Sequence, residues 1–249
     1  MKDKDRELQA RELIRAWLKS KNQCNLEDNL NQLTSIEGGF VSRFDFFVPY
    51  IPESFRESIL ISGCSAGSEH FVARRFGFEK VFGVEIDESL VDIARFRLKE
   101  EHNCFVSHYD GISLPYLNSS VSVVYSGHVI EHTPDPSRYF SEHLRVIKPG
   151  GYFFLEFPNR YFSKELHTDT NSFEWLPLKL RNLVLRLHEL PMLNHNAEKR
   201  HLYKLVRTSL LPISMWQIRR YLKRSRRGGI VVAIQYPAPG YVRCLLRVN

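Results

Sequence analysis

ILISGCSAGSE, residues 59–69, joins an apolar, strand-like run to a turn with two glycines and then to the start of a helix. Glycine has no Cβ, so Gly63 and Gly67 allow a tight bend and a close approach of backbone to a ligand. Peptide N–H groups in such a turn, with the N-terminus of the next helix, attract carboxylates and phosphates. The stretch predicts a strand-turn-helix ligand site, although glycine in such turns also has a purely steric explanation.

A carboxylate follows at the end of the next apolar run, VFGVEID at 81–87. Glu85 comes 22 residues after Gly63, a spacing at which an acid at a strand tip accepts hydrogen bonds from ribose hydroxyls. The dinucleotide fingerprint GxGxxG is not met, because residues 65 and 68 are both serine. The pattern therefore favours a nucleoside ligand without pyrophosphate and argues against a nicotinamide dehydrogenase.

From residue 58 onward, apolar runs alternate with amphipathic segments, as in repeated βαβ units around a parallel sheet. Only residues 237–240 separate the last two runs, too few for a parallel crossover, so these two strands must be antiparallel. We predict an α/β fold: a doubly wound, mostly parallel seven-stranded sheet, Rossmann-like, with an antiparallel last strand and a helical lid insertion. The predicted strands are 58–62, 80–85, 103–107, 121–126, 151–157, 229–236 and 241–248, and the helices beside the first five are 68–76, 88–100 and 138–147.

The pattern also predicts how the chain is divided. We expect an N-terminal helix and cap over 1–52, a cofactor-binding core over 53–159, a helical lid over 160–228 and a C-terminal strand pair over 229–249. An amphipathic helix is predicted over 4–20, followed by an irregular segment to Pro52 whose aromatic cluster packs under the lid. Residues 201–226 are predicted to be helical with a break near Pro212, because proline disrupts a helix interior.

Five motifs in order along residues 58–159 resemble those of the class I S-adenosylmethionine-dependent methyltransferases, in their small-molecule branch: ILISGCSAGSE, VFGVEID, YDGISLPY, VVYSGHVIEHTPDP and LRVIKPGGYFFLEFPN. The resemblance implies that S-adenosylmethionine is the cofactor. It places the glycine turn at the methionine part, Glu85 at the ribose, Asp110 at the adenine and His128 beside the sulfonium. The cofactor-binding residues that it implies are Gly63, Cys64, Ser65, Gly67, Glu85, Ile86, Asp110, Gly111, Ser126 and His128.

The chain departs from the family pattern at two places. Position 65 is usually a second glycine, and we expect serine to be tolerated there if its φ stays negative. Val121-Ser122 stands where the family has Phe-Asp, which removes an acid from the start of the fourth strand. We expect neither change to break the cofactor site.

The sulfonium methyl is already activated, so the enzyme's task in an SN2 transfer is to align the reactants and exclude water. For a hydroxyl acceptor, a general base adds roughly 10²- to 10⁴-fold in rate. Three histidines qualify as the base by location: His167, oriented by Glu165, is the first candidate, and His132 and His128 are the others, although His132 also suits a polar cap of its turn. No metal ligand cluster is evident. The lid sequence is similar, more loosely, to methyltransferases of bacterial glycan or natural-product pathways, which favours a sugar hydroxyl as acceptor.

The net charge of +7 is local, because residues 199–227 hold ten Lys or Arg and no acid, leaving 25 basic against 28 acidic residues elsewhere. Such a tract suits a phosphate- or lipid-linked acceptor, or peripheral contact of the 216–227 helix with an acidic membrane. A solvated helix face is the simple alternative. An RNA methyltransferase, which steeply salt-dependent RNA affinity would indicate, is a less favoured reading. A non-catalytic S-adenosylmethionine-binding protein is another.

Cysteine usage and the N-terminal sequence bear on location. The four cysteines, at 24, 64, 104 and 244, show no paired spacing, which suits a reducing compartment. The first 17 residues are charged at helical intervals and lack the apolar run of a signal peptide. We therefore expect a cytoplasmic protein, either free or peripheral to the inner face of the membrane.

Overall fold

The computed structural model describes residues 2–21, 25–161, 164–165, 170–171, 173, 175–238 and 240–249. Its strands are β1 (Ser58–Ser62), β2 (Lys80–Glu85), β3 (Cys104–His108), β4 (Val121–Gly127), β5 (Ile147–Pro158), β6 (Lys164–Glu165), β7 (Thr170–Asn171), β8 (Gly229–Gln235) and β9 (Tyr241–Val248). Its helices are α1 (Lys2–Ser20), α2 (Leu26–Thr34), α3 (Gly39–Phe47), α4 (Ser68–Arg75), α5 (Glu88–Arg97), α6 (Pro136–Val146), α7 (Leu178–His188), α8 (Ala197–Ser209) and α9 (Met215–Arg224). Among the residues searched, none of these helices is long and apolar enough to cross a membrane.

The main sheet has seven strands in the order β3-β2-β1-β4-β5-β9-β8. The first five strands are parallel, whereas β9 pairs antiparallel with both β5 and β8. The predicted fold class is therefore confirmed, and β6 and β7 form a separate two-stranded sheet. The order of connection reverses between β1 and β4, which opens a crevice above the carboxyl ends of these strands.

Side chains of the central strands alternate between two cores, as the two-residue period of a strand requires. Leu60 of β1 packs on one face of the sheet, with Val124 of β4 and Phe153 of β5. Ile61 and Phe154 belong to the core on the opposite face. Because both faces are covered, the strands are apolar throughout, which is why the sequence marks them clearly.

The prediction of an irregular segment before Pro52 is wrong, because this segment contains α2 and α3. Phe44 and Phe47 of its aromatic cluster pack on the sheet. Phe44 stacks on Tyr125 with ring centroids 5.3 Å apart, and Phe47 stacks on Phe154 at 4.8 Å. The spacing of Phe40, Phe44 and Phe47 fits one face of a helix, a signal hidden by the density of aromatic residues around it.

Other boundaries differ by small amounts. β5 begins at Ile147 and includes the Lys148–Gly151 turn, because the register shifts opposite Ser122. The predicted break near Pro212 is confirmed: α8 ends at Ser209 and α9 begins at Met215.

The Ser122 hydroxyl donates to Glu57 Oε1 at 3.1 Å, so a neighbouring acid lies where the family's own acid is missing. The division of the chain at 52, 159 and 228 stays a prediction.

Candidate cofactor and acceptor site

A cavity of about 260 Å³ lies above the carboxyl ends of β1, β2 and β4. The loops that follow these strands and β3 supply its walls. Because parallel strands end at one edge of the sheet, loops far apart in sequence meet here. The residues that line it are Gly63, Glu85, Ile86, Tyr109, Gly111, Gly127, His128, Val129, His132, Thr133 and Pro134.

The turn between β1 and α4 depends on left-handed backbone conformations. Gly63 has φ +68°, and a Cβ there would lie 2.6 Å from Cγ2 of Val129, so only glycine fits. Gly67 also has a positive φ, +87°. Ser65 has φ +47°, so the condition under which we expected serine to be tolerated, a negative φ, is not met. Its backbone N–H donates to Glu85 Oε2 at 3.0 Å, an interaction that helps to offset the strain of this conformation.

Glu85 holds the first two loops together. Besides the bond from Ser65, its Oε1 accepts from the backbone N–H of Ile86 at 2.7 Å and of Asp87 at 3.1 Å. The side chain is buried but lines the cavity. A carboxylate offers roughly four acceptor positions, so about one stays open for a ligand hydroxyl. Accepting a second hydroxyl requires one of the three amides to give way.

The wall beyond Glu85 is apolar. Ile86 is 61% exposed, and Tyr109 and Gly111 border the same cavity. Gly111 has φ +76°, and a Cβ there would lie 3.5 Å from Ile86 Cγ2, so the two residues are close neighbours. Asp110 does not line the cavity. Its Oδ1 accepts from the N–H groups of Ile112 and Ser113, which lower the pKa of its carboxyl and shape the loop.

Two residues assigned to the cofactor by resemblance are buried below the cavity. The Ser126 hydroxyl is 2.8 Å from the Tyr139 hydroxyl, which donates to Ser62 Oγ at 2.8 Å. Cys64 has its side chain in the core near Gly83, and burial raises the pKa of its thiol well above the usual range. Neither side chain lines the cavity, so direct contact with a ligand would fall to their backbone atoms.

His128 lines the cavity and is held between two buried carboxylates. Its Nε2 is 2.7 Å from Glu156 Oε1, and its Nδ1 is 3.4 Å from Glu131 Oε1. The Tyr241 ring contacts it edge-on at 5.0 Å. Burial alone lowers the pKa of His128, but the two carboxylates outweigh burial and raise it above 6.5. The imidazole is thereby favoured in its charged form.

Glu156 is the centre of this charge cluster. It accepts from Arg43 Nε at 2.6 Å and from Arg243 Nε, in addition to His128. Burial raises the pKa of Glu156, but the bond from His128 and the charge of Arg43 lower it to about 2. Glu131 is the less satisfied carboxylate, because both of its oxygens are buried without a hydrogen-bond partner in the described part of the chain.

The predicted catalytic residues are only partly described. His132 is exposed, lines the cavity and ends a short 3₁₀ turn, Ile130–His132. Glu165 lies in β6, where the structure gives its backbone course but no account of its side chain. His167 lies outside the described residues. No cluster of three or more His, Cys, Asp or Glu suited to a metal ion occurs among the residues searched.

Sequence reasoning missed several residues of this region. Tyr109, Val129, Thr133 and Pro134 line the cavity, and each lies within or beside a quoted motif without a distinctive signal of its own. Glu69, in the first turn of α4, is buried, and burial raises the pKa of its carboxyl to about 7. In the sequence, the position of Glu69 directly after the glycine turn could have drawn attention to this residue.

Together, the sheet order, the glycine turn and the acid at the tip of β2 are those of the class I methyltransferase fold. Residues 60–155 match the methyltransferase domain family. Over 131 residues the chain is 35% identical to a probable S-adenosylmethionine-dependent methyltransferase of Mycolicibacterium smegmatis, covering 51% of this chain and 48% of that protein. It is 30% identical over 111 residues to a ubiquinone biosynthesis O-methyltransferase of Coxiella burnetii, covering 44% and 47%.

A crystal structure of an S-adenosylmethionine-dependent methyltransferase from Mesorhizobium loti shares the fold, with a TM-score of 0.61 and 14% identity over 86% of this chain and all of that one. The chain spans about half the length of the two relatives above, 48% and 47%. Residues 60–155 therefore match a methyltransferase domain, within a chain that has the fold of the class I S-adenosylmethionine-dependent methyltransferases.

The described residues fit this cofactor. Glu85 has acceptor capacity toward ribose hydroxyls, and Ile86 with Tyr109 offers an apolar surface for the adenine. Gly63 supplies a stretch of backbone without Cβ, which a ligand can approach closely. These three features match a nucleoside with a polar tail.

We predict that Ser65→Gly stabilises the protein. A left-handed non-glycine residue costs roughly 1–2 kcal/mol, and the extra freedom of glycine in the unfolded chain costs about 0.4–1 kcal/mol. The free energy of unfolding in urea should rise by about 0.5–1 kcal/mol. Ala66→Gly, one residue on and without a positive φ, should lower it. A loss of stability in Ser65→Gly would contradict the conclusion that the backbone at residue 65 is strained.

We also predict that His128 stabilises the fold in a pH-dependent way. Because its pKa is raised, its contribution is full below about 6.5, the unfolded value, and is lost as the pH rises through the raised pKa. The deficit of His128→Asn in free energy of unfolding should therefore be larger at about pH 6 than at about pH 9. Asparagine tolerates the positive φ at this position.

Two other buried histidines, His70 and His143, also make the stability of the protein depend on pH. Burial lowers the pKa of each to about 4, so their effect on stability has the opposite sign, lost as the pH falls. Both are present in the wild type and in the variant, so they cancel in the difference. An equal deficit at the two pH values would show that His128 does not change its protonation on unfolding.

Proposed function

We propose that the protein is a methyltransferase that transfers a methyl group from S-adenosylmethionine to a hydroxyl of a small molecule or sugar. The observation that carries the proposal is one cavity in which Glu85, the glycine turn and His128 converge at the strand tips of a methyltransferase domain. When bound, S-adenosylmethionine supplies an activated methyl group. The residues of the chain then have to orient the acceptor, exclude water and remove the hydroxyl proton.

The proton acceptor has to have a free basic atom. His128 lacks one in the described arrangement, because Nε2 faces Glu156 and Nδ1 faces Glu131. We therefore assign His128 to positioning and charge. His167 and His132 are the proposed bases on the ground of their place in the chain. His132 is favoured by its exposure at the cavity wall. For His167, with Glu165, the support is its predicted place in the lid.

The hydroxyl is supported by the named activity of one relative, a ubiquinone biosynthesis O-methyltransferase. That protein matches over less than half of its length, so its acceptor does not transfer to this chain by similarity alone. A sugar or other glycan hydroxyl is supported only by the looser likeness of the lid sequence. Both kinds of acceptor, a small molecule and a sugar, would have to enter the cavity from the side of the predicted lid.

The basic face of α9 suits a phosphate- or lipid-linked acceptor or an acidic membrane. Arg219, Arg220 and Lys223 are exposed, while Ile218 and Leu222 on the other side are buried. Arg220 lies over the ring of the exposed Trp216 at 5.2 Å. This placement supports contact with anionic groups, because the cations project outward and the aromatic ring adds apolar surface.

The test uses labelled S-adenosylmethionine and fractionated cell extract to find the fraction that gains label. With that fraction as acceptor, His167→Ala should lower turnover about 100-fold, as expected for loss of a general base. Cofactor affinity should stay unchanged. His195→Ala, at an exposed histidine elsewhere in residues 160–228, is the control and should keep full turnover.

An effect below about threefold in His167→Ala, with a large effect in His132→Ala, would assign the base to His132. Small effects in both would contradict histidine-assisted transfer. Cofactor binding without label in any fraction, RNA included, would favour the non-catalytic reading. Labelled RNA would instead favour an RNA methyltransferase.

A further inference from the structure

α7 and the turn after it expose an unusual number of large apolar side chains. Leu183 and Leu187 are 54% and 41% exposed, and Met192 and Leu193 are 78% and 61% exposed. Single exposed leucines are ordinary, but several large apolar side chains exposed on one short segment indicate an interaction site. We call this group the leucine face, which consists of Leu180, Leu183, Leu187, Leu190, Met192 and Leu193.

The leucine face is not the side by which α7 packs on the protein. Leu185 is buried against Tyr203 and Val206 of α8. Arg181, also fully buried, donates from Nη2 to the carbonyl oxygens of Val206 at 2.9 Å and of Leu210 at 3.1 Å. The helix is therefore fixed by one side, and Leu180, Leu183 and Leu187, at i, i+3 and i+7, form a stripe on another.

The charge around the stripe indicates what covers it. Lys179 and Arg186, seven residues apart on one side of α7, are both exposed next to the stripe. Residues 178–209 contain seven Lys or Arg against two Glu, and six of these cations, all except Arg181, are not buried. One of these glutamates, Glu189, is already paired with Arg207. An apolar stripe bordered by cations is complementary to an anionic lipid surface, where leucine enters the acyl boundary and lysine or arginine meets phosphate.

We propose that the leucine face binds the surface of an anionic lipid bilayer, with α7 lying in the plane of the interface. α7 has 11 residues and cannot span a bilayer, so it would enter only the headgroup and upper acyl region. This contact is apolar and differs from the basic face of α9. It does not depend on methyl transfer, and it is tested without any acceptor.

The experiment is sedimentation with vesicles of phosphatidylcholine containing about 30% phosphatidylglycerol. The wild type should bind these vesicles and bind pure phosphatidylcholine more weakly. The double variant Leu183→Gln/Leu187→Gln should lower the partition coefficient roughly tenfold or more, because two side chains no longer enter the apolar region. Leu117→Gln, at an 81% exposed leucine outside the leucine face, should leave binding unchanged.

All three leucines are exposed, so the variants should keep the thermal stability of the wild type, which a melting curve checks. Raising NaCl to about 0.5 M should weaken binding without abolishing it, since insertion is not screened by salt. Failure of the wild type to bind, or equal binding by the double variant, would overturn the proposal. A lipid-free dimer that the double variant dissociates would also overturn it, because a second copy would then cover the face.

Discussion

The Glu85 carboxylate is the interaction on which the cofactor site depends. It accepts N–H groups from the loop after β1 and from its own strand tip, so it connects two segments that are 20 residues apart. The polar edge of the cavity and the course of the glycine turn both follow from this connection. Ser65, which has a positive φ, is the residue of the turn whose N–H donates to Glu85. A ligand that donates two hydroxyl hydrogen bonds to Glu85 competes with one of the amides that hold the turn.

A second constraint is the charge cluster at the tips of β4, β5 and β9. Two arginines and one histidine surround Glu156, while Glu131 faces the same histidine from the other side. Charges buried at this depth are tolerated when they are paired, and removing one partner leaves another uncompensated. This dependence explains why His128, although it lines the cavity, is better suited to hold charge than to accept a proton.

The fold could be predicted from the sequence wherever burial on two faces makes strands uniformly apolar. The seven main strands and the antiparallel end follow from such runs and from one short connection. α2 and α3 could not be predicted, because in such short helices the helical spacing of apolar residues is hidden by the many aromatic residues around it. The site was predicted in outline from Gly63 and Glu85. Partners far apart in sequence, such as Arg43 and Glu156, are joined only by tertiary structure.

The central claim is that Glu85 holds a nucleoside cofactor at the strand tips, and calorimetric titration with S-adenosylmethionine tests it most directly. The wild type should bind, and Glu85→Ala should bind at least about 30-fold more weakly, since bonds to a charged acceptor contribute about 1.5–3 kcal/mol each. Glu88→Ala, at an exposed acid in the first turn of α5, should bind like the wild type. An affinity within about threefold of the wild type in a folded Glu85→Ala protein would contradict the account.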